Sequence, residues 1–294
     1  MKPPRFQYAC PETLPEALAL LSQHNGDAAV LAGGQSLMPM LNLRVAQPAI
    51  LIDINRVPEL DAITCGRSVL SIGARARHND VLRSPMVKMN APLLKQALEH
   101  VAHEAIRNRG TLGGSLALAD PAAELPTCAI CLDATIVAVS LRGERHISAG
   151  DFFQGLYTTA LEPDEIIARV SFPLPTPGWR FRFDEVSRRH GDFAIAGVAV
   201  GMRCEGKTVT DCRIVFCGIE ASPRRIAAIE SLFTGTELAD EAVITRAKAA
   251  LGKILEPLDG GEFPPAYRLH VASELLARVA RNLISGAASA GDDK

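Results

Sequence analysis

Aromatic residues are scarce in this chain. They make up 5% of its 294 residues, with a single tryptophan, and no Tyr/Phe/Arg stripe offers nucleobases a stacking surface. Charge of neither sign is in excess. The net value of −2 gives no global attraction to nucleic acid or to an anionic membrane. No apolar run reaches membrane-spanning length; the longest, around Leu125–Leu141, is broken by Asp133. No signal peptide is read at Met1-Lys2-Pro3-Pro4-Arg5, which leads into a polar segment. Several motifs are missing too: G-x-G-x-x-G after a strand, Walker A, H-E-x-x-H and G-x-S-x-G. Rossmann-type, P-loop, metalloprotease and serine-hydrolase readings lose their support.

Metal and disulfide patterns are equally thin. Seven cysteines, at 10, 65, 128, 131, 204, 212 and 217, are an odd and scattered set. They read as reduced thiols in a cytoplasmic protein. Cys128-Ala-Ile-Cys131 is a C-x-x-C inside an apolar helical run, with no second pair nearby, and reads as two small buried residues. No cysteine spacing fits an iron–sulfur cluster. None of the seven histidines stands at ligand spacing with a cysteine or carboxylate. His100 and His103 read as a surface face near a helix C-terminus.

What the chain does have is two glycine loops. The first is Leu31-Ala32-Gly33-Gly34-Gln35-Ser36-Leu37. The second is Arg109-Gly110-Thr111-Leu112-Gly113-Gly114-Ser115-Leu116, with Asp120-Pro121 and Glu124 close behind. Paired glycines permit positive φ and close approach of a ligand, and successive free amides form an anion nest. Gly33 to Ser36 and Gly113 to Ser115 can thus grip one phosphate-bearing ligand from two sides, or are tight turns between ordered elements, as paired glycines usually are. Neither loop carries a lysine, so Ser36 and Thr111 hydroxyls and peptide dipoles would meet its charge. Asp120 and Glu124 can accept from ribose hydroxyls; Asp120 beside Pro121 can equally cap a helix.

In chain order, Thr13-Leu-Pro-Glu16 is a capping box, and Leu14, Ala17, Leu18 and Leu21 mark the buried face of a helix stopped by Asn25-Gly26. Ala28–Leu31 reads as a buried strand running into the first loop. Ser36 then caps a short helix, and Ile50–Ile54 is another strand. Strands follow at Val69–Ala74, Thr135–Ser140, Glu144–Ile147 and Glu165–Phe172. Helices are expected at His78–Arg83, Pro92–His103 and Ala122–Leu132, with a short one beginning at Phe152-Phe153. Pro173, Pro175 and Pro177 mark a boundary. Beyond it Arg180–Val186, Ala194–Cys204 and Val209–Gly218 read as antiparallel strands, the last two joined at Glu205-Gly206-Lys207. Helices at Pro223–Phe233, Glu241–Leu255 and Tyr267–Ile284 follow, then a polar tail.

The pair AGGQSL and TLGGSLALADPAAELP, in this order and at this distance, resembles the FAD-binding medium subunit of molybdenum hydroxylases, the xanthine dehydrogenase and aerobic carbon monoxide dehydrogenase family. The likeness covers nearly the whole chain and includes Phe6-Gln-Tyr8, Leu82–Pro85, Ile106–Thr111 and RRHGDFA at Arg188–Ala194. It implies an α+β protein: a two-subdomain FAD-binding fold of the vanillyl-alcohol-oxidase (PCMH) type, then a smaller C-terminal domain of antiparallel sheet plus helices. The implied division is 1–56 and 57–177 for the FAD-binding subdomains, 178–287 for the C-terminal domain, and 288–294 as a flexible tail.

By the same resemblance, Ala32–Ser36 and Thr111–Ser115 bind the FAD pyrophosphate, and Asp120 and Glu124 contact the ribityl or ribose region. Leu161 and Ile166 lie where the family packs residues on flavin or adenine. Leu31, Leu37, Ile106 and Ala117 complete the expected contacts. Phe193 falls where relatives place an aromatic beside the isoalloxazine, or is a packed strand residue. Gln35 stands where a His is common. No catalytic residue and no metal ligand is expected in this chain. Molybdenum-pterin is expected on a large partner subunit and [2Fe–2S] clusters on a small one, in a dimer of heterotrimers passing electrons to an external acceptor. A self-contained FAD-dependent reductase or oxidase and a flavin-free scaffold remain as alternatives.

Overall fold

The computed structural model describes residues 2–24, 26–260 and 262–285. The first layer holds Gln7–Ala9 (β1), Leu14–His24 (α1), Ala28–Leu31 (β2), Leu37–Asn42 (α2) and Ile50–Asp53 (β3), with strand order β1-β3-β2 and parallel pairing. The capping box forms with a shift. Thr13 Oγ1 accepts from the Glu16 amide at 3.4 Å, while the Glu16 carboxylate takes the Glu12 amide at 3.0 Å. Ala17, Leu18 and Leu21 are buried as the periodicity requires. β2 is only half-buried along its length because it is the sheet edge beside the first glycine loop. Asn25, half of the expected helix stop, lies outside the described residues; its neighbour Gly26 has φ +89°.

The second layer begins with Ile63–Cys65 (β4) and Val69–Gly73 (β5). Helices follow at His78–Arg83 (α3), Pro85–Asn90 (α4), Pro92–His100 (α5), Glu104–Arg107 (α6), Leu112–Leu118 (α7) and Glu124–Cys131 (α8). Thr135–Ser140 (β6), Gly143–Ser148 (β7), Ala149–Phe152 (α9), Phe153–Gly155 (β8), Thr158–Thr159 (β9) and Ile166–Pro173 (β10) complete it. β4-β5-β10-β6-β7 is one five-stranded sheet. α5 ends at His100, short of the expected His103, because Ala102 turns left-handed at φ 43° and Arg107 takes the Val101 and Ala102 carbonyls. Phe152-Phe153 closes a helix and opens a strand, where the sequence suggested a helix start.

Trp179–Ser187 (β11), Ala194–Glu205 (β12) and Thr208–Cys217 (β13) form an antiparallel meander, followed by Ala227–Phe233 (α10), Glu241–Ile254 (α11) and Pro265–Ser285 (α12). α10 starts four residues later than Pro223 because Arg225 first bridges back to Val215. β12 is buried on both faces. One face, with Val198, Val200 and Met202, packs on α10 to α12. The other, with Ala199 and its neighbours Phe183, Val215 and Cys217, joins the core of the second layer around α5 and α8. The expected tail at 288–294 lies outside the described residues.

Candidate functional site

The two glycine loops touch. A Cβ on Gly33 would lie 2.3 Å from the Arg109 carbonyl oxygen and 2.9 Å from Gly110 Cα, so only glycine allows the two backbones to meet. Gly34 takes φ +70°. The carbonyls of Ala32, Gly33 and Gly34 in the first loop are all engaged. Ala32 O accepts from Asn55 Nδ2 at 2.8 Å, Gly33 O from Gln35 Nε2 at 3.0 Å and Gly34 O from the Met38 amide at 3.1 Å. Among the described residues, no carbonyl accepts from the amides of Gly33, Gly34, Gln35 or Ser36. Ser36 occupies the N-cap position of α2 but makes no side-chain cap bond, so the expected cap is absent and its exposed hydroxyl faces outward. Leu31, Ala32 and Leu37 are half-buried around this turn.

The second loop differs from the expected mirror image. Leu112 N donates to Ala76 O at 3.1 Å, Gly113 N to Ala74 O at 2.7 Å, Gly114 N to Thr111 Oγ1 at 3.1 Å and Ser115 N to Thr111 O at 3.1 Å. An anion nest on Gly113 to Ser115 is therefore not what this loop offers. Thr111 is the N-cap of α7 and is 2% exposed, so its hydroxyl is committed to the helix. Gly113 is locked against Ala74, whose Cβ would be 2.5 Å from one added at 113. What remains open is a small-residue edge, Gly114 and Ala117 exposed with Ser115 half-buried, along which a flat ligand can lie close to the helix backbone.

Behind this edge, Asp120 Oδ1 accepts from the Ala122 amide at 2.9 Å and Oδ2 from the Tyr157 hydroxyl at 3.3 Å. Asp120 thus closes a turn and keeps its second oxygen at the surface. Glu124 heads α8, and burial pushes its carboxyl up to about 7. Under the loop, His78 is buried with neither ring nitrogen partnered, and burial holds it neutral at about 4.

The remaining expected contacts are dispersed. Ile106 is 37% exposed at α6, and Leu161 is half-buried beside the second-layer core. Ile166 is 4% exposed, with its side chain in a core cluster shared by β6, β10 and the first layer, so only its backbone is free to reach a ligand. Phe193 is 72% exposed in a loop whose Gly191 rests on the Ala102 carbonyl. Cys128 and Cys131 are fully buried, and burial pushes the Cys131 thiol up to about 12. His100 is half-buried, 3.6 Å from Glu185 and edge-on to Phe183, so it is not the surface residue expected.

Sequence reasoning missed the residues that join the loops. Arg77 donates through Nη2 to Asn55 Oδ1 at 2.5 Å and through Nη1 to the Arg109 carbonyl. Asp53 holds Asn55 and accepts from the Tyr8 hydroxyl at 2.7 Å. Burial and the neighbouring Arg75 and Arg109 lower the Arg77 pKa. Such residues are dispersed and fit no motif; Asn55, just past the strand that runs beside the first loop, was the nearest thing to a signal.

Two helix-and-sheet layers meeting at two glycine turns, with a C-terminal sheet closed against the second layer, are the architecture of a flavoprotein's FAD-binding domain followed by its C-terminal domain, as the matching family models describe it. A family model described as the FAD binding domain in molybdopterin dehydrogenase matches residues 4–175, and one described as the CO dehydrogenase flavoprotein C-terminal domain matches 181–283. The chain is 39% identical over 278 residues to the carbon monoxide dehydrogenase medium chain of Hydrogenophaga pseudoflava, covering 95% of this chain and 96% of that one. It is 38% identical over 279 residues to caffeine dehydrogenase subunit beta of Pseudomonas sp. (strain CBB1), covering 95% and 94%. The solved carbon monoxide dehydrogenase of Hydrogenophaga pseudoflava superposes with a TM-score of 0.93 at 38% identity, covering 97% of this chain and 99% of that one. The chain belongs to the family of FAD-binding medium subunits of molybdenum hydroxylases.

Proposed function

We propose that this chain holds FAD between its two glycine loops and carries electrons from an iron–sulfur partner subunit to an external acceptor. The observation that carries this reading is the first loop, whose Ala32, Gly33 and Gly34 carbonyls are engaged while its amides at Gly33 to Ser36 are not. A diphosphate is the anion such a turn suits. FAD, when bound, supplies the redox chemistry. The chain's residues bind and orient it. The first-loop amides and Ser36 hold the diphosphate, the Gly114–Ala117 edge admits close contact, and Asp120 presents an oxygen to hydroxyls. Leu31, Leu37, Ile106, Leu161 and Phe193 are assigned to its apolar surroundings, and Ile166 to a contact through its backbone. Glu124, its carboxyl raised to about 7 by burial, is about half protonated at neutrality and can donate as well as accept.

The same reading divides the chain at 1–56, 57–177 and 178–287. It places the substrate on a large molybdenum-pterin subunit and the [2Fe–2S] clusters on a small one, the assembly being a dimer of heterotrimers. The setting is cytoplasmic. All seven cysteines are free thiols, and among the described residues no helix is long and apolar enough to cross a membrane. Co-expression with iron–sulfur and molybdopterin partner subunits tests this. The expected outcome is a flavin-coloured complex that oxidises substrate, and a flavin-loaded but substrate-inert chain when it is made alone. A colourless complex, or turnover by the chain alone, would overturn it.

A further inference from the structure

The peptide unit is planar and trans, so the carbonyl of one residue and the amide N–H of the next point in opposite directions. Fixing the carbonyl therefore aims the N–H. In the first glycine loop this happens at three consecutive peptides. Asn55 Nδ2 holds Ala32 O, which directs the Gly33 N–H; Gln35 Nε2 holds Gly33 O, which directs the Gly34 N–H; and the Met38 amide holds Gly34 O, which directs the Gln35 N–H. The orientation of the Asn55 amide is dictated by its surroundings. Its Oδ1 meets the Arg77 guanidinium, a pure donor, and its Nδ2 meets the Asp53 carboxylate at 2.6 Å, a pure acceptor. Arg77 continues the chain of bonds into the second loop through the Arg109 carbonyl. That carbonyl is the atom against which Gly33 is packed.

We infer that Asn55 and Gln35 are positioning residues that turn the Gly33 and Gly34 amides toward the cofactor diphosphate, with Arg77 locking this turn to the second glycine loop. This inference rests on the FAD reading above. It assigns the Gln35 side chain a task that any N–H donor of similar reach can perform. It also accounts for a loop without lysine: the donors are backbone amides whose direction is set from behind. Asp53 is the anchor, since it holds both the backbone and the side-chain nitrogen of Asn55.

The test is a titration of the assembled complex, stripped of flavin, with FAD, ADP and riboflavin in turn. Asn55→Ala and Gln35→Met each remove one carbonyl partner. Each is expected to weaken FAD and ADP in parallel by about tenfold and to leave riboflavin, which has no phosphate, unchanged. Gln35→His, which keeps an N–H donor, is expected to retain most of the affinity. Phosphorus NMR of bound ADP should shift in Asn55→Ala and Gln35→Met, and flavin-free variants should melt with the wild type. If wild type binds neither FAD nor ADP, the FAD reading falls and this inference with it. If wild type binds both and the variants match it, or lose FAD while keeping ADP, the positioning role alone is overturned.

Discussion

At the scale of single residues, Glu185 is the strongest anomaly. Its side chain is 1% exposed, neither carboxyl oxygen has a hydrogen-bond partner, and His100 Nδ1 is 3.6 Å away. Burial first, then the nearby Glu124 and Asp184, pushes its pKa from 4.5 to about 8. A carboxyl raised in the folded state keeps a proton that the unfolded chain releases, so stability falls as pH rises between those two values. Glu124, raised to about 7, acts with the same sign. His100, whose pKa is lowered by burial, acts oppositely but only below the ordinary histidine value of 6.5. The clean window is therefore from 6.5 to about 8. There the wild-type melting temperature should decline with pH, with a limiting slope for Glu185 of about 1.4 kcal/mol per unit. Glu185→Gln should decline less and become the more stable form at the alkaline end. Matching pH profiles for the two proteins would show that Glu185 does not hold the proton. A second residue-scale prediction concerns Gly33. Gly33→Ala puts a methyl 2.3 Å from a backbone oxygen, so the loops must separate. Loss of flavin content together with destabilisation of about 1–3 kcal/mol is expected, measured by absorbance and melting.

At the scale of elements, α7 carries the second glycine loop, and its start depends on one hydroxyl. Thr111 Oγ1 caps the Gly114 amide, and the Leu112 and Gly113 amides are tied to Ala76 and Ala74. Replacing an N-cap threonine by alanine costs about 1 kcal/mol. Thr111→Ala should lower the melting temperature by about 2–4 °C, and Thr111→Ser should not; scanning calorimetry of both decides it. Secondary-structure type was readable for most elements because periodicity and caps are local. Boundaries failed where a distant partner intervened, as at Ala102 beside Arg107, or at Arg225 beside Val215.

At the scale of the molecule, the C-terminal sheet is not an appendage. Phe183, Val215 and Cys217 belong to the same core as Leu94, Leu98 and Cys128. The Gln96 side chain accepts from the Phe183 amide at 2.9 Å, and Arg213 donates to the Cys131 carbonyl at 3.1 Å. A shared core predicts one cooperative unfolding transition, not two. A chain ending at residue 177 should expose the α5 and α8 faces and aggregate, which calorimetry and size exclusion would show. Two resolved transitions, or a soluble monomeric fragment, would contradict the shared core.

The sequence by itself determined the two glycine turns, the helix and strand types and the family likeness, because each depends on residues near one another along the chain. The clamp's inner logic was decided only by tertiary structure. Both loops read alike as sequence, yet one keeps its amides open and the other spends them on Ala74, Ala76 and Thr111. Which carbonyl lies opposite a given amide depends on strands and turns 20 to 80 residues away. Asn55 and Arg77, which join the loops, belong to no motif, and only folding brings them between Ala32 and Arg109.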